Sequence, residues 1–156
     1  NAYKNFYGLE VRIARIFNTF GPRMRINDGR AIPSFLNQLI KNEPFTVFGD
    51  GKQTRSFCYI DDTILGIYKL LFSEYDSPVN IGNPSEITLL ELIACIKQLK
   101  NHNGKIIFSE LPKNDPLRRK PDINLAKKIL NWKPKIDLNQ GLKMTFDYYL
   151  NNKFKK

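Results

Sequence analysis

Strand-like and helix-like patterns alternate along the whole chain, and this alternation constrains the fold more than any other feature of the sequence. Residues 9–17, LEVRIARIF, alternate in polarity and are rich in β-branched side chains, which predicts a strand. Residues 31–42 follow with a helical spacing of apolar residues and an early proline, Pro33. Further strand-like runs are PFTVFG, RSFCYI, PVNIG and KIIFSE. Strands that alternate with helices predict an α/β architecture.

Local signals indicate where the elements begin and end. The segment 1–7 is typical of the last turns of a helix that ends at Gly8. Thr88 and Glu91 have the spacing of a capping box for a helix that closes near residues 103–104. Three aspartates are expected to cap the remaining helices: Asp61, Asp122 and Asp137.

Two segments between these elements are expected to be turns or loops. Gly49-Asp50-Gly51 has the start of a glycine-rich phosphate loop, but no third glycine and no helix follow it, so a hairpin turn is predicted. Residues 111–122, LPKNDPLRRKPD, are basic and punctuated by prolines, which predicts a surface loop. The 156 residues fit one ordinary domain or a large piece of one.

The net charge of +10 raises the question of a nucleic-acid partner. Lysines are scattered along the chain or gathered in its last residues, and aromatic side chains do not interleave with them as a base-stacking platform requires. The charge therefore indicates a solvated surface, with no nucleic-acid partner. No apolar run approaches the length of a membrane span, so no membrane partner is expected, and we expect a cytoplasmic protein.

Cysteine, histidine and tyrosine positions do not form a familiar catalytic or metal-binding set. Cys58 and Cys95 lie in apolar segments and are expected to be buried free thiols, and His102 is expected at the surface of a turn. No metal site is predicted. Tyr149 and Lys153 match the Tyr-x-x-x-Lys pair of short-chain dehydrogenases, but no glycine-rich loop precedes them, so the match is rejected.

Polar and arginine residues recur at strand ends and in loops. Asn18 and Thr19 directly follow a strand, where open α/β sheets bind ligands. Arg30 precedes a helix, Arg55 opens a strand, and Arg119 lies in the proline-bounded loop. Because a guanidinium group matches phosphate oxygens bidentately, these positions suit a diphosphate. Surface salt bridges remain the alternative explanation for each arginine taken singly.

Five ordered motifs resemble a known family. ARIFNTFGPRM, PFTVFGDGKQTRSFCYIDD, PVNIGNP, RRKPDI and LNWKP occur in the order found in extended short-chain dehydrogenase/reductase enzymes that act on nucleotide sugars. Within these enzymes the chain is most similar to the UDP-glucuronate decarboxylases, through NTFGPRM, INDGR, GDGKQTRSF and RRKPDI. The dTDP-glucose 4,6-dehydratases and UDP-sugar 4-epimerases share the outline, and a non-catalytic nucleotide-binding module is the alternative of another class.

The resemblance implies an extended Rossmann-type fold of which residues 1–156 would be the C-terminal, sugar-nucleotide-binding portion. Residues 1 to about 20 would be residual Rossmann elements, and the N-terminal Rossmann half, with its NAD loop and catalytic Tyr-x-x-x-Lys helix, would be absent. The isolated chain is therefore expected to be inactive. The full-length enzyme is expected to use NAD, to bind a UDP-sugar and to form a homodimer.

The resemblance also implies roles for individual residues. The cofactor would contact Phe17, Thr19 and Arg30, of which Arg30 could also contact the substrate. Arg119 would be a catalytic residue near the sugar carboxylate, where the family implies a proton donor. The residues implied to bind the substrate are Asn18, Thr46, Phe48, Arg55, Asn83, Arg119 and Asp122.

Overall fold

The α/β alternation is confirmed by a computed structural model, which describes residues 2–110 and 118–152, without the side chain of Arg118. The helices are α1 (Ala2–Tyr7), α2 (Ala31–Lys41), α3 (Ile60–Leu71), α4 (Leu89–Gln98), α5 (Asn124–Leu130) and α6 (Leu138–Asn152). The strands are β1 (Ala14–Ile16), β2 (Thr19–Phe20), β3 (Phe45–Phe48), β4 (Thr54–Ser56), β5 (Cys58–Tyr59), β6 (Val79–Ile81), β7 (Glu86–Thr88), β8 (Ile106–Ser109) and β9 (Arg118–Arg119).

The strands pair over long sequence distances in four small groups. Three groups are parallel pairs: β1 with β6, β2 with β5, and β3 with β8. In the fourth group β4 lies between β7, which is antiparallel to it, and β9, which is parallel to it. Parallel neighbours need a crossover connection, and helices α2 to α4 lie within those connections.

Several predicted strands are shorter or divided. The strand expected over residues 9–17 is reduced to β1, and RSFCYI is split at Phe57 into β4 and β5. The split follows from pairing, because β4 pairs with β7 and β9 whereas β5 pairs with β2. One strand-like run thus crosses from one sheet to another.

The prediction of a hairpin at Gly49-Asp50-Gly51 is wrong. The strand before this turn pairs with β8 and the strand after it pairs with β7 and β9, so the two flanking strands do not pair with each other. Gly51 has φ +74°, and a Cβ atom there would lie 2.8 Å from Leu90 Cγ. The glycine therefore allows the turn to pack directly on α4.

The capping predictions have mixed outcomes. The Thr88/Glu91 capping box is confirmed, although α4 ends at Gln98, before the predicted residues 103–104. Asp137 Oδ1 accepts the N–H of Gln140 at 2.9 Å, as expected of a cap.

Two other aspartates have different roles from the predicted ones. Asp61 does not cap α3; the cap residue is Tyr59, and Asp61 is already in the first turn. Asp122 Oδ1 accepts the N–H of Asn124 at 2.8 Å, but the cap residue of α5 is Ile123.

The basic loop predicted over residues 111–122 contains a strand. Residues 111–117 lie outside the described residues, whereas Arg118–Arg119 pair with β4. This short strand brings Arg119 beside Arg55 in the register of the sheet.

The apolar side chains form two buried clusters. The first core joins α2, β3, α4 and α6, and its fully buried members include Leu36, Leu39, Phe45, Leu92 and Leu142. The second core joins α3, β5, β6 and α5. Its buried members are Cys58, Leu70, Val79, Ile81, Ile123, Ala126, Leu130 and Trp132.

The two cores account for the positions of the cysteines, the histidine and Tyr149. Cys58 is buried and Cys95 is half-buried, and both thiols are free. His102 is not a simple surface residue, because its ring packs edge-on against Phe45 with centroids 5.8 Å apart. Tyr149 is buried in the first core and donates its hydroxyl to Met24 O at 2.9 Å, which agrees with its rejection as a catalytic base.

Candidate functional site

A cavity of about 350 Å³ lies among β2 and the residue before it, the start of α2, and strands β3, β4 and β9. We call it the arginine cavity. Residues that were expected to bind ligand and that line it are Asn18, Thr19, Arg30, Thr46, Phe48, Arg55 and Arg119. The structure thus brings together seven positions that are spread over about 100 residues of sequence.

The inner wall of the arginine cavity carries buried polar side chains. Arg55 is only 9% exposed, and its Nη1 donates to Thr54 O at 2.8 Å. Gln53, two residues earlier, is 7% exposed and donates from Nε2 to Phe48 O at 2.6 Å. Burial of a guanidinium group in a cavity wall favours an anionic ligand, because the low dielectric strengthens the attraction.

Arg119 stands at the rim. Its strand pairs with β4, so that Arg119 lies opposite Arg55, and its carbonyl oxygen accepts the hydroxyl of Ser56 at 3.0 Å. The residue is exposed. One arginine in the wall and one at the rim can contact the two phosphates of a diphosphate from different sides.

Strand β3 supplies the wall that could hold a base. Thr46 donates its backbone N–H to Gln38 Oε1 at 3.2 Å, and its hydroxyl accepts from Gln38 Nε2 at 3.2 Å. The Gln38 amide therefore engages both groups of Thr46. Phe48 is 48% exposed, which leaves its ring accessible for stacking against a planar ligand.

A second, more open cavity of about 480 Å³ adjoins the first and shares four residues with it: Asn18, Thr19, Arg30 and Arg119. We call it the strand-end cleft. Phe17, which was expected to contact the cofactor, lines only this cleft, together with Arg15 and Ile16. Three guanidinium groups and an aromatic ring around one cleft suit the charged and planar parts of a dinucleotide, so these residues fit the expected cofactor.

Hydrogen bonds fix the backbone at the end of β1. Asn18 O accepts the N–H of Cys58 at 2.9 Å, and Phe17 N–H donates to Ile81 O at 3.0 Å. The Thr19 hydroxyl donates to Phe17 O at 3.0 Å and lies 3.1 Å from the Thr63 hydroxyl. The strand end is therefore a rigid part of the cleft.

Arg30 occupies the residue before α2 and forms a pair with Asp28. Its Nε and Nη2 donate to the two carboxylate oxygens, the Nη2 bond being 2.9 Å long. The hydrogen bonds from Arg30 lower the pKa of Asp28, and Asp28 in turn raises the pKa of Arg30. Arg30 is thus fully charged and held at the boundary of the two cavities.

Two of the expected substrate-binding residues lie elsewhere. Asn83 lines a third cavity, beside Ser85 and Glu86, and its Oδ1 accepts the N–H of Ser85 at 2.9 Å. Asp122 lines none of these three cavities and binds the start of α5 through its carboxylate.

Sequence reasoning did not include Gln53 and Arg15 among the site residues. Gln53 precedes Arg55 by two positions, the spacing that places side chains on one face of a strand. That spacing was a usable signal. Arg15 lies inside β1, and its access to the cleft depends on the β1–β6 pairing, which the sequence does not reveal.

Other kinds of site receive no support in the described part of the chain. Among residues 2–110 and 118–152, no group of three or more His, Cys, Asp or Glu side chains could hold a metal ion. Within the same residues, no helix is both long enough and apolar enough to cross a bilayer.

Comparison with known proteins agrees with these features. UDP-glucuronic acid decarboxylase 1 of Xenopus tropicalis is 47% identical to this chain over 148 residues, which is 95% of this chain and 35% of that protein. The chain thus spans about a third of the length of such curated relatives. The predicted similarity to UDP-glucuronate decarboxylases is confirmed.

Solved structures share the fold. UDP-glucuronic acid 4-epimerase from Bacillus cereus, in complex with UDP-glucuronic acid and NAD, matches with a TM-score of 0.88 and 29% identity over 96% of this chain and 48% of that chain. The dTDP-glucose 4,6-dehydratase from Streptomyces venezuelae, with NAD bound, matches with a TM-score of 0.88 and 27% identity. The match covers 97% of this chain and 47% of the dehydratase chain.

A family model extends over residues 1–82, more than half of the 156 residues, and includes β2, the start of α2 and strands β3 and β4 of the arginine cavity. This match agrees with the expected Rossmann-type fold and with the expectation of an NAD-using family. The chain belongs to the NAD dependent epimerase/dehydratase family.

Proposed function

We propose that this chain is the nucleotide-sugar-binding part of a UDP-glucuronate decarboxylase, which converts UDP-glucuronate to UDP-xylose. The observation that carries the proposal is the arginine cavity, where Arg55, Arg119 and Arg30 lie with the accessible ring of Phe48. A diphosphate linked to a planar base matches this combination of charges and ring. The names of relatives that are 46–49% identical to the chain support the same substrate.

The reaction has three stages. The C4 hydroxyl of the sugar is oxidised, which makes a β-keto acid; the C6 carboxylate leaves as CO2; and C4 is reduced again. NAD, when bound, accepts the hydride from C4 and returns it. Loss of CO2 leaves its electron pair on C5 as an enolate, which needs a proton at C5 before the product forms. The protein contributes positioning and charge.

Each residue of the arginine cavity has a proposed task. Arg55 and Arg119 clamp the diphosphate, and Asn18 donates to it from the strand end. Thr46 and Phe48 hold the uracil ring. Asp122 is proposed to accept from the ribose hydroxyls and Asn83 to contact the substrate, although neither lines the arginine cavity.

Arg119 has a second proposed task at the sugar. A guanidinium group near the carboxylate favours substrate binding but opposes CO2 loss if it holds the carboxylate too tightly. We therefore assign Arg119 to orienting and protonating the enolate. A rim position, which leaves the residue exposed, suits a group that must follow the changing charge of the sugar.

The strand-end cleft is the proposed place for part of the cofactor. Phe17 and Thr19 would lie beside the nicotinamide, and Arg30 would contact cofactor or substrate at the boundary of the two cavities. Residues 1–156 are then the C-terminal portion of the enzyme, with residues 1 to about 20 as Rossmann elements. The isolated chain is expected to be inactive, because the family's catalytic Tyr-x-x-x-Lys helix would lie in the N-terminal half and the Tyr149/Lys153 match is rejected.

The proposal is tested with the full-length protein that contains this chain, incubated with UDP-glucuronate and NAD. We expect UDP-xylose and CO2 in equal amounts, measured by chromatography and CO2 release. Arg119→Ala should reduce turnover more than it weakens substrate binding, and Arg25→Ala, which removes an exposed arginine that does not line the cavity, should leave both unchanged. Absence of UDP-xylose would contradict the proposal.

Three alternatives are distinguished by the products that the full-length protein forms. The fold is shared with a UDP-glucuronic acid 4-epimerase and a dTDP-glucose 4,6-dehydratase. UDP-galacturonate as the product would identify an epimerase, and conversion of dTDP-glucose to its 4-keto-6-deoxy form would identify a dehydratase. Nucleotide binding by the full-length protein without any product would identify a non-catalytic module.

We also propose that the full-length enzyme is a cytoplasmic homodimer. Helices α1 and α3 support self-association, because Phe6 is 83% exposed and Tyr68 and Leu71 are each 59% exposed. Sedimentation of the full-length protein should give twice the monomer mass. A monomer at micromolar concentration would contradict this part of the proposal.

A further inference from the structure

We infer that Ser56 and Glu86 are positioning residues for Arg119, and that they hold its strand in place through two separate contacts. Neither residue lines the arginine cavity or the strand-end cleft. The inference rests on the proposed function, since it assigns to these residues the geometry of the diphosphate clamp.

Strand β9 is too short to hold its own position. It comprises two residues and, among the residues that the structure describes, pairs with β4 alone, in parallel register. Isolated pairing of such length is marginal in water, because few ladder hydrogen bonds offset the cost of ordering the backbone. Additional contacts are therefore needed to fix Arg119.

Ser56 provides the first contact. It is the last residue of β4 and is 1% exposed, and its hydroxyl donates to Arg119 O at 3.0 Å. A buried hydroxyl-to-carbonyl bond of this kind links the backbone of Arg119 directly to the neighbouring strand. The bond lies one residue beyond the Arg55–Arg119 register pair and extends the contact between the two strands.

Glu86 provides the second contact. It lies opposite Ser56 in the antiparallel pairing of β4 with β7. Its Oε1 accepts the hydroxyl of Thr54 at 3.0 Å, and its Oε2 lies 3.3 Å from Lys120 Nζ. The Glu86 side chain is 18% exposed, which limits screening of the pair. Glu86 thus connects β7, β4 and the residue that follows Arg119.

Both contacts act at the C-terminal end of β9, directly after the Cα atom that carries the Arg119 side chain. Ser56 holds the carbonyl oxygen of Arg119, and Glu86 holds the side chain of Lys120. Release of either contact should let β9 move, so that Arg119 spends less time at the rim of the cavity while Arg55 stays in the wall.

The test compares Ser56→Ala with Thr145→Val. Each substitution deletes one buried hydroxyl that donates to a backbone carbonyl, but the Thr145 bond, to Gly141 O, lies within α6. UDP affinity is measured by calorimetry on the full chain, and amide hydrogen exchange at Arg119 and Lys120 is measured without ligand. We expect Ser56→Ala to weaken UDP binding roughly threefold to tenfold, the size of one lost hydrogen bond, and to speed exchange at both amides. Thr145→Val should do neither.

A double-mutant cycle separates positioning from general destabilisation. In an Arg119→Ala background, Ser56→Ala should have no further effect on UDP affinity, because the group that it positions is gone. Glu86→Gln keeps an acceptor for Thr54 and loses the charge pair, so a smaller loss of affinity, about twofold, is expected.

The outcomes distinguish this inference from the proposed function. If the unsubstituted chain binds UDP and Ser56→Ala binds it equally well, or loses the same affinity with Arg119 removed, the positioning role is wrong and the proposed function stands. If the unsubstituted chain does not bind UDP, the diphosphate clamp and the role in it are both wrong. Unchanged amide exchange at Arg119 in Ser56→Ala would also overturn the inference, whatever the affinity.

Discussion

Helices α2 and α3 have similar lengths and similarly apolar sequences, yet they are covered to very different extents. In α2 the residues Ile32, Phe35, Leu36 and Leu39 are at most 3% exposed. In α3 only Leu70 of the large apolar residues is buried, whereas Ile64 is 56% and Tyr68 is 59% exposed. The apolar face of α2 is therefore covered by the described residues, whereas one apolar face of α3 is not.

The difference shows that an apolar stripe does not by itself reveal what covers it. Helix α3 faces the second core through small and polar residues, namely Asp62, Thr63 and Gly66, together with Leu70. A Cβ atom on Gly66 would lie 2.9 Å from both Ile81 and Trp132, so close packing on that side is real. The larger apolar residues lie on the other side and are available to a further surface.

The largest contrast is expected from one substitution made in each helix. Leu36→Ala in α2 removes a fully buried side chain and should lower the free energy of unfolding by about 2–5 kcal/mol. Leu71→Ala in α3 removes a side chain that is 59% exposed and should change it by no more than about 0.5 kcal/mol. Urea denaturation at two protein concentrations measures both. A loss for Leu71→Ala that grows with protein concentration would place α3 in the proposed dimer contact, and a loss as large as that of Leu36→Ala at both concentrations would contradict the comparison.

The second core depends on a buried carboxylate to a degree that the first does not. Asp62 is 4% exposed, and its Oδ2 accepts the N–H groups of Lys135 and Ile136 at 2.9 and 2.8 Å. Asp62→Ala leaves both N–H groups without this partner and should cost at least about 2 kcal/mol, because each unsatisfied buried group costs about 1–3 kcal/mol. Asp137→Ala, at an exposed cap, is the control and should cost about 1 kcal/mol. Equal losses in urea denaturation would contradict the special role of Asp62.

The reactivity of one cysteine in each region compares how well the two cores exclude solvent: Cys58 in the second core and Cys95 beside the first. Burial raises the pKa of Cys58 to about 11, whereas Cys95 of α4 is half-buried and its pKa is raised to a lesser extent, again by burial. Because the thiolate is the reactive form, Cys95 should be alkylated by iodoacetamide at pH 8 at least roughly tenfold faster than Cys58. Mass spectrometry of timed samples gives both rates. Faster labelling of Cys58 would show that the second core opens readily.

The smallest effect is expected at the cap of α4, in the first core. Thr88→Ala removes the hydroxyl that accepts the N–H of Glu91 at 3.2 Å and should cost about 1 kcal/mol. The backbone and side chain of Thr88 lower the pKa of Glu91 from 4.5. Since the folded pKa is the lower one, this contribution is present above pH 4.5 and is lost as the pH falls through the folded value. The melting temperatures of the unsubstituted chain and of Thr88→Ala should therefore converge on acidification below pH 4.5. A difference that does not shrink would contradict this account.

Local features of the fold were predictable from the sequence, and non-local ones were not. The Thr88/Glu91 capping box depends on residues three positions apart and was correctly predicted. The division of RSFCYI at Phe57 depends on partners in β2 and β9, which lie far away in the sequence. No local pattern contains that information.

The same distinction holds for the candidate site. Strand-end and loop positions identified Asn18, Arg55 and Arg119 individually, because these positions follow from local patterns. Their meeting depends on the pairing of β4 with β9, across 64 residues from Thr54 to Arg118. From composition alone, surface salt bridges were the simpler explanation for these arginines. The pairing of the strands brings them to the wall and rim of one cavity.

Titration of UDP into this chain tests the central claim, that the arginine cavity binds a nucleotide diphosphate, most directly. Calorimetry should show saturable binding of UDP, and UDP should raise the melting temperature of the chain. Arg55→Ala should bind UDP roughly tenfold to hundredfold more weakly, because charged hydrogen bonds to phosphate are lost. Arg25→Ala, which removes the same charge outside the cavity, should bind UDP normally. Stabilisation by duplex DNA without stabilisation by UDP would contradict the claim.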